Sequence, residues 1–180
     1  MKKYLLIVLI VALVAIPAVA QWRLDIGVDV PRGVGAVVGN DVLGSDAASA
    51  ALSSTFFPFP EAAIYYTFGE GTMLQAGVGM RCFTFIIESI AWPNIFAEFN
   101  FGPLAIEAQV GGGAFVAFGI TGLNADYGKV FFPDLSAWFK LGKKQAFRLG
   151  VGAIGIFLPE LTTETVPFVF YLGGKVALGL

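Results

Sequence analysis

Trp22-Arg23-Leu24-Asp25-Ile26-Gly27-Val28-Asp29-Val30 is the stretch that decides the fold. Its even positions are apolar, and its odd positions are charged or glycine. Successive side chains of an extended chain point to opposite faces, so this is a strand with one greasy face and one polar face. The code recurs along the chain and predicts eight strands. The first covers residues 22–30 and extends to Val38 if Val34, Ala36 and Val38 keep the parity of Val30. The others fall near 61–68, 72–81, 94–101, from 104 onward, 131–141, 146–157 and 168–180.

The residues before this region have a different character. Lys2 and Lys3 precede an apolar run from Tyr4 to Ile16, Pro17 breaks it, and Ala18-Val19-Ala20 has the small-x-small form of a signal-peptidase site. The reading is a cleaved export signal at 1–20 followed by one domain at 21–180. An uncleaved anchor is the alternative, but a spanning helix needs about 20 apolar residues and this run is shorter. The cleavage site has no Cys after it, so a lipoprotein anchor is not indicated.

Composition narrows the class. The chain is 57% hydrophobic and only 13% charged, with 23 Gly. Yet Gly, Pro or a charge interrupts every candidate for a spanning helix beyond residue 20. A hydrophobic chain without such a helix fits a membrane β-barrel, in which each strand shows lipid one face only. Without Lys2 and Lys3, nine basic residues face 13 acidic ones, which argues against nucleic acid as a partner. The absence of His excludes His-dependent triads and His metal sites, and the chain reads as neither an enzyme nor a cofactor carrier. The single Cys82 excludes an internal disulfide and reads as a small lipid-facing residue. Gly150-Val-Gly152-Ala-Ile-Gly155 matches a dinucleotide fingerprint by spacing, but Pro159 follows where a helix is required.

The connections alternate. Tight turns are expected around Glu70, Pro103 and Lys143, and longer loops at 39–58, 84–93, 119–129 and 158–167. An outer-membrane barrel has short periplasmic turns and long external loops, with both chain ends on the periplasmic side. Aromatics concentrate near both ends of the strands, as interfacial girdles would. Trp22, Phe68, Phe99, Phe101, Phe139 and Phe147 mark the short-turn end. Phe59, Phe85, Trp92, Phe118, Phe131, Phe157 and Phe168 mark the long-loop end.

With leader, strand count, loop alternation and face chemistry in place, the chain resembles the small eight-stranded outer-membrane barrels typified by the OmpA membrane domain, OmpX and OmpW. The resemblance covers Gln21 to Leu180 and singles out no one family. It implies an all-β, antiparallel, up-and-down transmembrane barrel in the bacterial outer membrane. Lipid and the outer-membrane assembly machinery would be its partners. Such barrels usually end in an aromatic residue that this machinery recognises; Val176-Ala177-Leu178-Gly179-Leu180 keeps the alternation but ends in Leu180.

Parity sends Arg23, Asp25, Asp29, Arg81, Glu98, Glu107, Asp134, Lys140, Arg148 and Lys175 inward, with acids and bases balanced. An eight-stranded barrel is just wide enough for side chains to fill. Buried charges of both signs are expected to pair, with Asp25, Arg81, Glu98, Glu107, Lys140, Arg148 and Lys175 forming a lumenal network. Two functions follow from a monomer of this kind. One is a narrow channel or binder for a small apolar solute, entered past loop one, where Asp46 could cap a short helix. The other is a structural or adhesin-like surface protein with a plugged lumen, acting through external loops such as the acidic one bearing Glu160 and Glu164.

Overall fold

The computed structural model describes residues 20–38, 41–54, 56–85, 87–159 and 165–180. The proposed export signal and the acidic pair Glu160 and Glu164 lie outside the described residues. In chain order the elements are β1 (Gln21–Val38), β2 (Asp41–Gly44), α1 (Asp46–Ser54), β3 (Phe59–Phe68), β4 (Leu74–Thr84), β5 (Glu88–Phe101), β6 (Leu104–Gly112), β7 (Phe115–Gly119), β8 (Gly122–Asp126), β9 (Phe131–Leu141), β10 (Phe147–Gly155) and β11 (Thr165–Gly179).

Eight of these strands form the wall, in the order β1, β3, β4, β5, β6, β9, β10, β11. Every neighbour is antiparallel, and β11 returns to pair with β1 from Arg23↔Gly179 to Val38↔Thr165. That seam closes the sheet, so the wall has no free edge. The alternation quoted above explains why the sheet curls. β3 and β6 alternate buried and exposed residues along almost their whole length. The exposed set is apolar: Val78, Ile95, Leu135, Val151 and Leu172 stand about half-exposed on the outside. The buried set includes Arg23, Glu98, Glu107, Arg148 and Lys175. Apolar outside and charged inside is the reverse of a soluble barrel and suits one surrounded by lipid. No described helix is long and apolar enough to cross a membrane.

The short-turn end follows the sequence reading, with turns at Gly69–Gly71, Gly102 and Gly142–Gln145. The long-loop end departs from it. The connection expected as a long loop at 84–93 is short, because β4 runs to Thr84 and β5 begins at Glu88, so Ser89 to Trp92 are paired strand. Two further departures are larger. First, β1 does continue to Val38, but its register shifts between Pro31 and Gly33. One extra residue, Arg32, bulges there and reverses the parity. Gly33 and Gly35 now pair with the outward Phe170 and Phe168, while Val34 pairs with Val169 on the inner face. Val34, Ala36 and Val38 therefore do not share a face with Val30. Second, the loop expected at 119–129 is largely a β-hairpin. β6 kinks at Gly112 and Gly113, both at positive φ that only glycine adopts without strain. The chain then runs on as β7 along the outer part of β5 and folds back as β8.

Loop one supplies the helix. β3 starts opposite Asp29, so β1 has no wall partner on that side above this point until β2 pairs with residues 35–38. α1 fills the interval. Ser45 N–H donates to the Val34 carbonyl at 3.2 Å, and the Val34 N–H donates to Ser49 Oγ at 3.2 Å. Asp46 lies in the first turn, where its charge favours the helix N-terminus, while Ser45 holds the capping position.

Candidate functional site

The lumen is stacked in layers, which register across the closed wall sets. Nearest the short turns is a polar basin of about 580 Å³, lined by Gln21, Arg23, Gln75, Asn100, Lys140 and Arg148 with the turn residues. Above it lies an ion-paired layer built around Arg23. Its guanidinium holds Asp25 at 2.6 Å, Glu98 at 2.8 Å and Glu107 at 3.1 Å. Glu98 also takes Arg148 at 2.6 Å and Lys140 at 3.0 Å. Lys175 joins Glu107 at 2.6 Å and Asp25 at 3.4 Å. Lys140 additionally donates to Asn100.

Rings form the next level. Arg23 lies over the Phe96 ring at 4.8 Å and Lys175 over the Trp138 ring at 4.4 Å. Tyr65 packs edge-on against Phe96. Gln109 links this level to a second charged layer. Its Nε2 donates to Glu107 at 2.6 Å, and its Oε1 accepts from Asn94 at 2.6 Å and Tyr65 at 3.1 Å.

The second layer centres on Arg81. It pairs with Asp134 at 2.6 Å and Glu61 at 2.7 Å, and more loosely with Asp29 at 3.6 Å. Tyr171 donates to Asp134 at 2.9 Å. Arg81 also donates to Gln109 Oε1 at 3.5 Å, which joins the two layers and completes a chain of polar contacts through the lumen from Arg148 to Asp29.

Six of the seven residues expected to form the network, Asp25, Glu98, Glu107, Lys140, Arg148 and Lys175, share the layer around Arg23. Arg81 stands apart in the other layer. The acid–base balance expected from sequence is corrected. Glu61, which shares inward parity with Ala63 and Tyr65, adds an acid to the Arg81 layer. Among the described residues, Asp29, Glu61 and Asp134 share one cation there, whereas Arg23, Lys140, Arg148 and Lys175 exceed the carboxylates of the layer below.

Above Arg81 the lumen changes character. A cavity of about 350 Å³ opens at the long-loop end, lined by Phe59, Phe83, Phe85, Trp92, Phe132 and Tyr171, with Ile90, Ile154, Ile156 and Val169. Asp29 and Pro31 also line it. Three aromatics read as an external girdle thus border this vestibule. Trp92 is the clearest correction: it is 5% exposed, stacks on Phe83 and packs at a tilt against Phe132 inside the barrel. It has the parity of Asn94, Phe96 and Glu98, which turns it inward, and Gly111 leaves the wall beside it free for the ring. The girdle at the short-turn end stands on the outside, with Trp22, Phe99, Phe101, Phe139 and Phe147 each exposed.

Such a wall and such a lumen define a small transmembrane β-barrel with eight staves, a charged interior and an aromatic mouth. No protein-family model and no curated protein matches the chain. Among solved structures, Neisserial surface protein A is similar at 8% identity, over 87% of this chain and 97% of that one, with a TM-score of 0.45. Ail, the attachment invasion locus protein of Yersinia pestis, is similar at 8% identity over 88% and 99%, with a TM-score of 0.38. The outer membrane protein OprG from Pseudomonas aeruginosa follows at 8% identity over 89% and 96%, with a TM-score of 0.36.

Proposed function

We propose that this protein is exported by its residue 1–20 leader to the bacterial outer membrane. There it binds small apolar solutes in the external vestibule, above a lumen plugged by ion pairs. The observation that carries this reading is the apolar, aromatic-lined cavity seated directly on the Arg81 layer. Its volume is in the range of small-molecule sites. Water gains few hydrogen bonds against such walls, so an apolar guest displaces it at little cost. The layers below favour a binder over a through-channel, because an ion crossing them would have to break buried pairs.

The test is naphthalene binding to the refolded barrel in lipid nanodiscs, compared with Val169→Phe, which fills the cavity from its wall. Uptake by the native chain and loss in the variant is the expected result. Equal uptake by both would count against the vestibule. A second reading, surface interaction through loops, draws on the β7–β8 hairpin, whose tip exposes Ile120 and Leu123. Unchanged cell-surface adhesion after shortening that hairpin would remove it.

A further inference from the structure

The polar basin at the short-turn end lies at the opposite mouth from the vestibule, and its charge is one-sided. Its walls are mostly polar, and among the described residues that line it Arg23, Lys140, Lys144 and Arg148 are cations while Glu70 is the single acid. Glu70 and Lys144 stand exposed, where water and salt screen them. The other three are at least nine-tenths buried: Arg23 is 3% exposed, Arg148 6% and Lys140 9%. The carboxylates paired with these three, Asp25, Glu98 and Glu107, do not line the basin. The basin therefore faces the cations of the layer and not their counter-ions.

The layer also falls short of neutrality. Among the described residues, Arg23, Lys140, Arg148 and Lys175 share three carboxylates, and none of the four pairs with an acid of the Arg81 layer. Arg148 carries part of the shortfall. Its Nη1 donates to the same Glu98 oxygen that Arg23 uses, and its buried Nε has no hydrogen-bond partner. A buried surplus of positive charge is costly unless an anion answers it, and the basin is the open side of this layer.

The lining also indicates what kind of anion fits. Guanidinium and ammonium groups bind oxyanions through charge-assisted hydrogen bonds. Here they come from β1, β9, β10 and the turn between the last two, so they approach from several directions. The tetrahedral oxygens of a phosphate accept such donors better than a planar carboxylate does. A volume of about 580 Å³ exceeds what a bare ion needs, and the amides of Gln21, Gln75 and Asn100 with the Thr72 hydroxyl border the rest. These groups both donate and accept, which suits hydroxyls on the body of the ligand. The paired seam of β1 and β11 closes the wall between this space and the lipid, so the ligand arrives from water and not as a headgroup.

We infer that the basin is a second ligand site, for a small hydroxyl-rich phosphate monoester, with Arg148, Lys140 and Lys144 receiving the phosphate and the amides receiving the hydroxyls. The site stands independently of solute binding in the vestibule.

The test titrates glucose 6-phosphate and glucose into the refolded barrel in zwitterionic nanodiscs, by calorimetry at constant ionic strength. The expected result is saturable binding of the phosphate ester, at least about tenfold tighter than glucose, with inorganic phosphate as a competitor. Arg148→Gln should weaken it about tenfold, and it should fold because Glu98 keeps Arg23 at 2.8 Å and Lys140 at 3.0 Å. Lys144→Gln, at an exposed turn, should weaken it severalfold and serves as the variant if Arg148→Gln does not refold. Val169→Phe, which fills the other mouth, should leave it unchanged. Equal affinity for ester and sugar, or no competition by inorganic phosphate, would overturn the role of the charge. Tighter binding of gluconate than of glucose 6-phosphate would overturn the choice of phosphate. Affinity unaltered by both cation variants, or lost in Val169→Phe, would overturn the assignment to the basin, and absence of binding would overturn the inference while leaving the vestibule reading untouched.

Discussion

Converting Glu98 to Gln and Glu61 to Gln is the same chemical change in two layers of opposite charge surplus, and the structure predicts different outcomes. Glu98 is wholly buried and holds Arg148 at 2.6 Å, Arg23 at 2.8 Å and Lys140 at 3.0 Å. Among the described residues, it is the carboxylate that pairs both Arg148 and Lys140. Glu98→Gln leaves these two cations facing neutral amides only, the new one and, for Lys140, that of Asn100, in a layer already rich in base. Stranding one partner of a buried pair costs about 3–5 kcal/mol, and that is the expected loss. Glu61 lies in the Arg81 layer, where acids are in surplus. The amide introduced by Glu61→Gln retains an oxygen for the Arg81 N–H groups, and Asp134 remains at 2.6 Å. Less repulsion among the remaining carboxylates offsets the lost attraction, so Glu61→Gln should change stability by less than about 1 kcal/mol. Urea unfolding in small vesicles, extrapolated to zero denaturant with the slope checked for constancy, gives both numbers. Equal losses, or a larger loss for Glu61→Gln, would refute the charge assignment of the two layers.

The remaining expectations concern the plug, the wall and the outer face. Glu107→Ala removes the 2.6 Å partner of Lys175 and the Gln109 link between layers, so small steady openings should appear in planar bilayers where the native barrel is silent. A Cβ at Gly79 would overlap the Ile64 carbonyl across the β3–β4 pair. Gly79→Ala should therefore abolish refolding or lower stability by about 3 kcal/mol or more, read by the same urea titration. Leu135→Arg places a charge on the lipid-facing wall and should cost about 2–4 kcal/mol, whereas Leu123→Arg, on the hairpin beyond the wall, should be near neutral.

The fold is legible in this sequence because the inner and outer faces differ so sharply over 22–30, 61–68 and 94–101. Each of these three stretches declares its parity through an Arg, Asp or Glu on the inner face. The same signal fails where the faces stop differing. Past Pro31 the chain reads Gly33-Val34-Gly35-Ala36-Val37-Val38, and both parities are small and apolar, so one bulged residue reverses the faces without any mark in composition. The vestibule is hidden for a related reason. Once a barrel carries aromatics on its inner face near the mouth, ring position along the strand no longer separates girdle from lining, and only parity does. Trp92 had that parity through Glu98, and Glu61 through Tyr65. Which charges meet is a different matter. Parity assigns a side chain to a face but carries no information about its height on the opposite wall. That height depends on the register of every pair between Arg23 on β1 and Glu98 on β5.

The layer around Arg23 draws its members from far apart along the chain. Arg23 meets Glu98 and Glu107 across separations of 75 and 84 residues, and Lys175 meets Glu107 across 68. None of these contacts is local, and each crosses a lumen that exists only once the last strand has met the first. A sheet that entered the bilayer before that seam closed would hold Arg23, Arg148 and Lys175 against hydrocarbon, with their counter-ions on strands not yet opposite them. Closure and neutralisation are therefore a single event. The half-inserted sheet is the most expensive state on the route, and assembly is driven toward all-or-none entry with the strands already gathered at the membrane surface.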